Sequence, residues 1–126
     1  MTHLPDHRLK GVLAPVLTPF TADLVPDAPR FVAHCQWLLG QGVGLAMFGT
    51  NSEGNSMGVA EKCGLLDALV AAGIPMDRAM PGTGSCSLTD AVVMTKAGLQ
   101  AGAAGALVLP PFYYKGTGDD GLFRFF

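Results

Sequence analysis

Apolar residues in this chain fall in short runs that alternate with helical stripes. The first run, 11–17, reads Gly-Val-Leu-Ala-Pro-Val-Leu and lies between Lys10 and Thr18-Pro19. Pro15 and Pro19 stand too close together for a helix, so a buried strand is expected. Asp27 then has the chemistry of an N-cap, with Pro29 in the first turn. Phe31, Val32, Cys35, Leu38 and Leu39 follow at i, i+1, i+4, i+7 and i+8, one face of an amphipathic helix that Gly40 and Gly42 end. The unit recurs. Residues 43–48 read as a second strand, 49–58 as a polar glycine-containing loop, and 59–72 as a second helix with Leu65, Leu66, Leu69 and Val70 on its buried side. Gly73 and Pro75 stop that helix. A short third strand is expected at 78–81, followed by Gly82-Thr83-Gly84. Ser87 with Asp90 makes a capping-box-like start to a third helix, 88–101, closed by Gly102. A fourth strand spans 104–109, a loop 110–120, and a helical pattern begins at 121–126.

Strand centres near Leu13, Leu45, Met80 and Leu107 are separated by 32, 35 and 27 residues. Strands and helices alternating at that period predict an α/β fold of parallel βαβ units. Such strands are covered on both faces and read as continuous apolar runs, as these do. Two architectures satisfy the pattern: a doubly wound open sheet, or part of a (β/α)8 barrel. A complete barrel takes about 250 residues, roughly twice this chain.

Composition narrows the function classes. The chain has 126 residues, 49% hydrophobic and only 14% charged, against about 25% charged in ordinary domains. That balance excludes a disordered chain and leaves little polar surface, as though part of it were meant to be covered. Eight basic and ten acidic residues, net charge −2, are spread without blocks. Neither a nucleic-acid footprint nor a membrane-surface helix is expected. Residues 1–10 carry Asp6, His7, Arg8 and Lys10 and no apolar core, so no secretory signal is expected. The uncharged stretch 97–114 is interrupted by Gly98, Gly102, Gly105, Pro110 and Pro111, so no bilayer span is expected. Cys35, Cys63 and Cys86 form no CxxC pair and read as reduced thiols of a cytoplasmic protein.

In parallel α/β folds chemistry sits at the carboxyl ends of the strands. Those ends here are Thr18-Pro19-Phe20, Gly49-Thr50-Asn51-Ser52-Glu53-Gly54, Gly82-Thr83-Gly84 and the segment from Pro110 to Lys115. The second offers amides and hydroxyls beside a helix entrance, suited to a carboxylate or phosphate. The alternative is a turn whose polar groups satisfy only its own backbone. Glu53 reads as a hydrogen-bond anchor of that loop. Gly82-Thr83-Gly84 lacks a following Gly-Lys-Ser/Thr and reads as a tight turn rather than an ATP site. Tyr113 and Tyr114 are suited either to proton relay or to packing at an interface. His3, His7 and His34 have no ligand spacing, so no metal is expected, and Asp119 and Asp120 read as the start of a helix. Among the four lysines, Lys62 and Lys96 are expected on solvated helix faces, Lys10 at the wrong end of the sheet and Lys115 in an exposed loop. None reads as a Schiff-base nucleophile.

Taken in order, these segments resemble the dihydrodipicolinate synthase / N-acetylneuraminate lyase family. Residues 11–20 resemble its opening strand with the T-P-F end, Gly49-Thr50-Asn51-Ser52-Glu53 its G-T-T-G-E signature, and Gly82-Thr83-Gly84 its G-x-G. Residues 107–115 with Gly121-Leu122-Phe123 resemble its P-Y-Y segment and following helix. The resemblance implies that residues 1–126 are the amino-terminal half, about four strands and three helices, of a TIM (β/α)8 barrel, truncated in the helix after strand four. It implies a class I aldolase or lyase that binds pyruvate or a related 2-oxo acid as a Schiff base, with no cofactor and a homo-oligomeric assembly. Thr50 is then a relay hydroxyl, and Tyr113 completes the relay across a subunit interface, or Tyr114 if the loop alignment shifts by one. Asn51 stands where a second Thr or Ser helps hold the substrate carboxylate, with Ser52 and Thr18 also on the substrate side. Asn51 and Ser52 depart from the family's Thr and Gly, which bears on the second substrate: aspartate semialdehyde, sialic acid or a sugar acid. The family's tyrosine after strand five and its Schiff-base lysine at the end of strand six have no counterpart here, so residues 1–126 alone are expected to be inactive. The alternative is a non-catalytic half-barrel that pairs with itself or with another chain.

Overall fold

The computed structural model describes residues 9–126. The sequence expectations on residues 1–8, His3 and His7 included, lie outside them. Strand β1 (Leu13–Pro15) pairs in parallel with β2 (Gly44–Ala46), in the register Leu13 to Gly44 and Pro15 to Ala46. Helix α1 (Ala28–Gly40) carries the chain between them, so the first βαβ unit forms as its periodicity predicts. Asp27 caps α1 by accepting from the Arg30 amide at 3.1 Å. Phe31, Cys35 and Leu38 are its buried stripe.

The third and fourth expected strands are present only as extended segments. Ala79 makes a single parallel bridge to Leu45, and Leu107 one to Gly82. The ladder still continues, with the Met80 amide donating to the Leu45 carbonyl (2.8 Å), Gly82 to Met47 (2.7 Å) and Leu107 to Pro81 (2.9 Å). Pro81 has no donor of its own, and Ala104 and Gly105 favour strand geometry poorly. Arg78, placed in the third strand by its sequence, instead ends a 3-10 turn, Met76–Arg78. Helices α2 (Val59–Ala71) and α3 (Leu88–Gln100) cover the sheet, and α4 (Asp119–Phe125) begins at the two acidic residues. One apolar core runs through Val16, Phe31, Leu45, Met47, Leu66, Leu69 and Met94.

Two residues of α2 sit opposite to their expected environments. Val70, assigned to the buried side, is about half exposed, whereas Lys62, assigned to a solvated face, is buried. The stripe is Lys62, Leu65, Leu66 and Leu69, an i, i+3, i+4, i+7 pattern. Val70 lies one residue past it.

Candidate functional site

The carboxyl ends of the parallel segments meet at Phe48. This residue is buried and left-handed, with φ 63°, and its ring stacks on Phe31 at 6.0 Å. Gly54 and Gly82 flank its carbonyl so closely that a Cβ on either would overlap it. The loop after β2 therefore folds back on the end of its own strand, and the third segment closes from the other side. Within that loop the amides of Ser52 and Gly54 donate to the Gly49 carbonyl (3.1 and 3.0 Å), and Glu53 donates to Thr50 (3.3 Å). Two successive 3-10 turns result, Thr50–Ser52 and Gly54–Ser56, with Glu53 left-handed between them. The amides of 52–54 are thus spent inside the turn, as the self-satisfied alternative anticipates for that part of the loop. Glu53 acts as the expected anchor by accepting from the Ser56 hydroxyl at 3.3 Å.

The structure joins two of the five site residues directly. Buried Thr18 donates its Oγ1 to the Ser52 carbonyl at 2.6 Å, tying the end of the first strand to the second loop. The Ser52 Oγ is fully buried and has no hydrogen-bond partner among the described residues. The side chains of Thr50 and Asn51 are exposed. Thr50 lines a cavity of about 10 Å³ with Gly49, Asn55, Gly82, Gly84 and Leu109. Tyr113 lines a different one, about 390 Å³, with Lys62, Asp90, Cys86 and Phe112. The two cavities share Asn55 and Gly84. Tyr113 is three-quarters exposed, packs edge-on against Tyr114 at 5.5 Å, and donates its amide to the Cys86 Sγ at 3.4 Å.

Two polar residues here escaped sequence reasoning. Thr83, inside the Gly82–Gly84 turn, is fully buried and accepts from the Thr95 hydroxyl of α3 at 2.9 Å. Lys62 donates its Nζ to the Gly54 carbonyl at 3.3 Å. Burial pushes the Lys62 amine below its ordinary value, against the opposing charges of Asp90 and Cys63. The α2 stripe contains the signal for Lys62, since its spacing from Leu65, Leu66 and Leu69 places it on the buried face. Lys96 and Lys115 are exposed as expected. Among the described residues no three His, Cys, Asp or Glu side chains cluster as a metal site. No helix among them is long and apolar enough to cross a membrane.

Comparison with known proteins gives a consistent answer. The model of the dihydrodipicolinate synthetase family matches residues 8–126. The chain is 34% identical over 119 residues to an uncharacterized DapA-like lyase of Chloroflexus aurantiacus, covering 93% of this chain and 40% of that protein. It is 35% identical over 108 residues to the 4-hydroxy-tetrahydrodipicolinate synthase of Methanococcoides burtonii, covering 84% of this chain and 36% of that one. Among solved structures it superimposes on YagE, a prophage protein of the dihydrodipicolinic acid synthase family from E. coli K12 in complex with pyruvate. The TM-score is 0.83 at 29% identity, over 91% of this chain and 39% of that one. The chain thus spans well under half the length of the relatives it matches, whose fold is the TIM barrel.

Proposed function

This chain belongs to the dihydrodipicolinate synthetase family, and from that premise we propose that it contributes the first half of a (β/α)8 barrel to a class I aldolase or lyase. The parent acts on pyruvate or a related 2-oxo acid, held as a Schiff base on a lysine, in a homo-oligomer. Residues 1–126 supply the substrate side of the site and not its nucleophile. The observation that carries this reading is the tie between Thr18 and Ser52, which fixes the Thr50–Ser52 turn at the carboxyl ends of the strands. Thr50 is the relay hydroxyl, Asn51 the carboxylate donor, and Tyr113 the relay partner reached across a subunit interface. The high exposure of Tyr113 supports a partner that comes from outside this chain. Pyruvate as substrate is supported by the pyruvate bound to the similar YagE.

The test treats the natural gene product with pyruvate and borohydride and locates the adduct by peptide mass spectrometry. The expected adduct lies on a lysine outside Lys10, Lys62, Lys96 and Lys115. An adduct on any of those four overturns the assignment, and pyruvate protection without any adduct overturns the Schiff base. In the same enzyme Thr50→Val is expected to lower kcat/KM by about 10²–10⁴, the scale of a positioned proton transfer.

A second reading rests on one observation. Val12 and Leu17 beside β1, and Leu107 and Leu109 at the other edge, are exposed. Such edges equally suit a non-catalytic half-barrel that pairs with another chain. The intact mass of the natural product separates the readings, since a 13.1 kDa species in a stable oligomer supports the second.

A further inference from the structure

We infer that Lys62 is a positioning residue, which latches the loop after β2 to helix α2 through the carbonyl of Gly54. The geometry is that of a double tie. The Gly54 amide donates back to the Gly49 carbonyl at 3.0 Å, and its own carbonyl accepts from Lys62 Nζ at 3.3 Å. Gly54 is also where the loop is pressed against the end of β2, because only a residue without a Cβ clears the Phe48 carbonyl. The two 3-10 turns on either side of this point are single turns with poor intrinsic bonding geometry. Anchors from outside therefore add to the few bonds such turns make within themselves. Thr18 anchors the first turn through Ser52, and Lys62 anchors the junction with the second. Thr50, which begins the first turn, is thereby held through two anchors on its C-terminal side, at Ser52 and at Gly54.

The groups around Lys62 are Asp90 from α3 and Cys63 from α2, with Cys86 and Tyr113 lining the same cavity. A donor N–H on Nζ is present in both protonation states of the amine. The latch therefore survives deprotonation, whereas loop opening returns Lys62 to water and to an ordinary value of 10.5. Opening takes up a proton. The inference rests on the proposed role of Thr50, but its measurement needs no catalysis.

Hydrogen exchange followed by mass spectrometry on the full chain tests it. Lys62→Met is expected to raise exchange at amides 52–54 about tenfold, the size of losing one charge-assisted bond, with α1 unchanged. Lys62→Arg is expected to restore protection, because a guanidinium can donate to the same carbonyl. Unchanged exchange in Lys62→Met overturns the inference, as does an equal rise in every element or a failure of Arg to rescue. Should Lys62→Met not fold, Lys62→Gln, a shorter polar side chain, decides: exchange at 52–54 is expected to rise relative to α1, and an unchanged ratio overturns the latch. Failure of Thr50→Val to affect catalysis, with the loop protected, would instead count against the functional reading alone.

Discussion

Ser52 occupies the position where the family signature has glycine, and it introduces a hydroxyl into a fully buried place with no partner among the described residues. Its carbonyl, by contrast, receives the short bond from Thr18. A buried unsatisfied hydroxyl costs about 1–3 kcal/mol. Ser52→Ala is therefore expected to raise the stability of the chain by about 1 kcal/mol, read as a higher urea midpoint. A lower midpoint would mean that the hydroxyl is satisfied in solution. Cys35 makes a second prediction at this scale. Burial pushes its thiol from 9.0 up to about 12. The unfolded thiol ionises near 9 and the folded one only near 12, so its contribution is complete below pH 9 and is lost as pH rises from 9 to 12. Lys62 acts in the opposite sense, its lowered value favouring the folded state as pH rises toward 10.5. The comparison that isolates Cys35 is thus the slope of urea midpoint against pH in Cys35→Ala, expected to fall less steeply above pH 9 than in the unaltered chain. Equal slopes would show that the thiol reaches water. The burial of Cys35 was readable from its helical stripe, whereas the isolation of the Ser52 hydroxyl was not, because it depends on how two loops close over it.

At the scale of elements, local chemistry did most of the work. Asp27 accepts from the Arg30 amide and Ser87 from the Asp90 amide, both visible as N-cap residues before an apolar stripe. Asp27→Ala is expected to cost about 1 kcal/mol, measured by urea unfolding. A loss well below that would mean the first turn of α1 is held by packing instead. Strands obeyed the sequence less well. Residues 78–81 and 104–109 have strand-like apolar runs, yet each contributes only a single bridge. A strand is completed by its neighbours, and no run of residues contains that information about itself. The outer side of 104–109 has no pairing strand among the described residues, so its ladder is one-sided. Helix α2 shows the reverse error. Its period placed Lys62 on the buried face, and the expectation of a charged residue in water overrode the period. Gly54, offering a carbonyl at that place, is what lets the cation be buried.

At the scale of the whole molecule, no strand among the described residues pairs with the outer side of β1 or of 104–109. Large apolar side chains stand exposed beside them, among them Val12, Leu17, Leu107 and Leu109, in a chain with few charges. Exposed apolar edges invite pairing. The 126-residue chain alone is expected to self-associate, with a sedimentation mass above 13.1 kDa that grows with concentration. A monomer with a sharp cooperative melt would overturn this. Sequence alone determined the α/β class, the helices, the N-caps of α1 and α3, the family, and the placing of Thr18, Thr50, Asn51 and Ser52 at strand ends, because caps, turns and periodicity act over a few residues. Only the tertiary structure decided that Thr18 grips Ser52, that Gly54 and Gly82 close on the carbonyl of Phe48, and that Thr50 and Tyr113 line separate cavities. It also decided that Lys62 is a buried donor. Each of these depends on segments far apart in the chain meeting at one end of the sheet. Close approach and burial are properties of the packed molecule and not of any stretch of it.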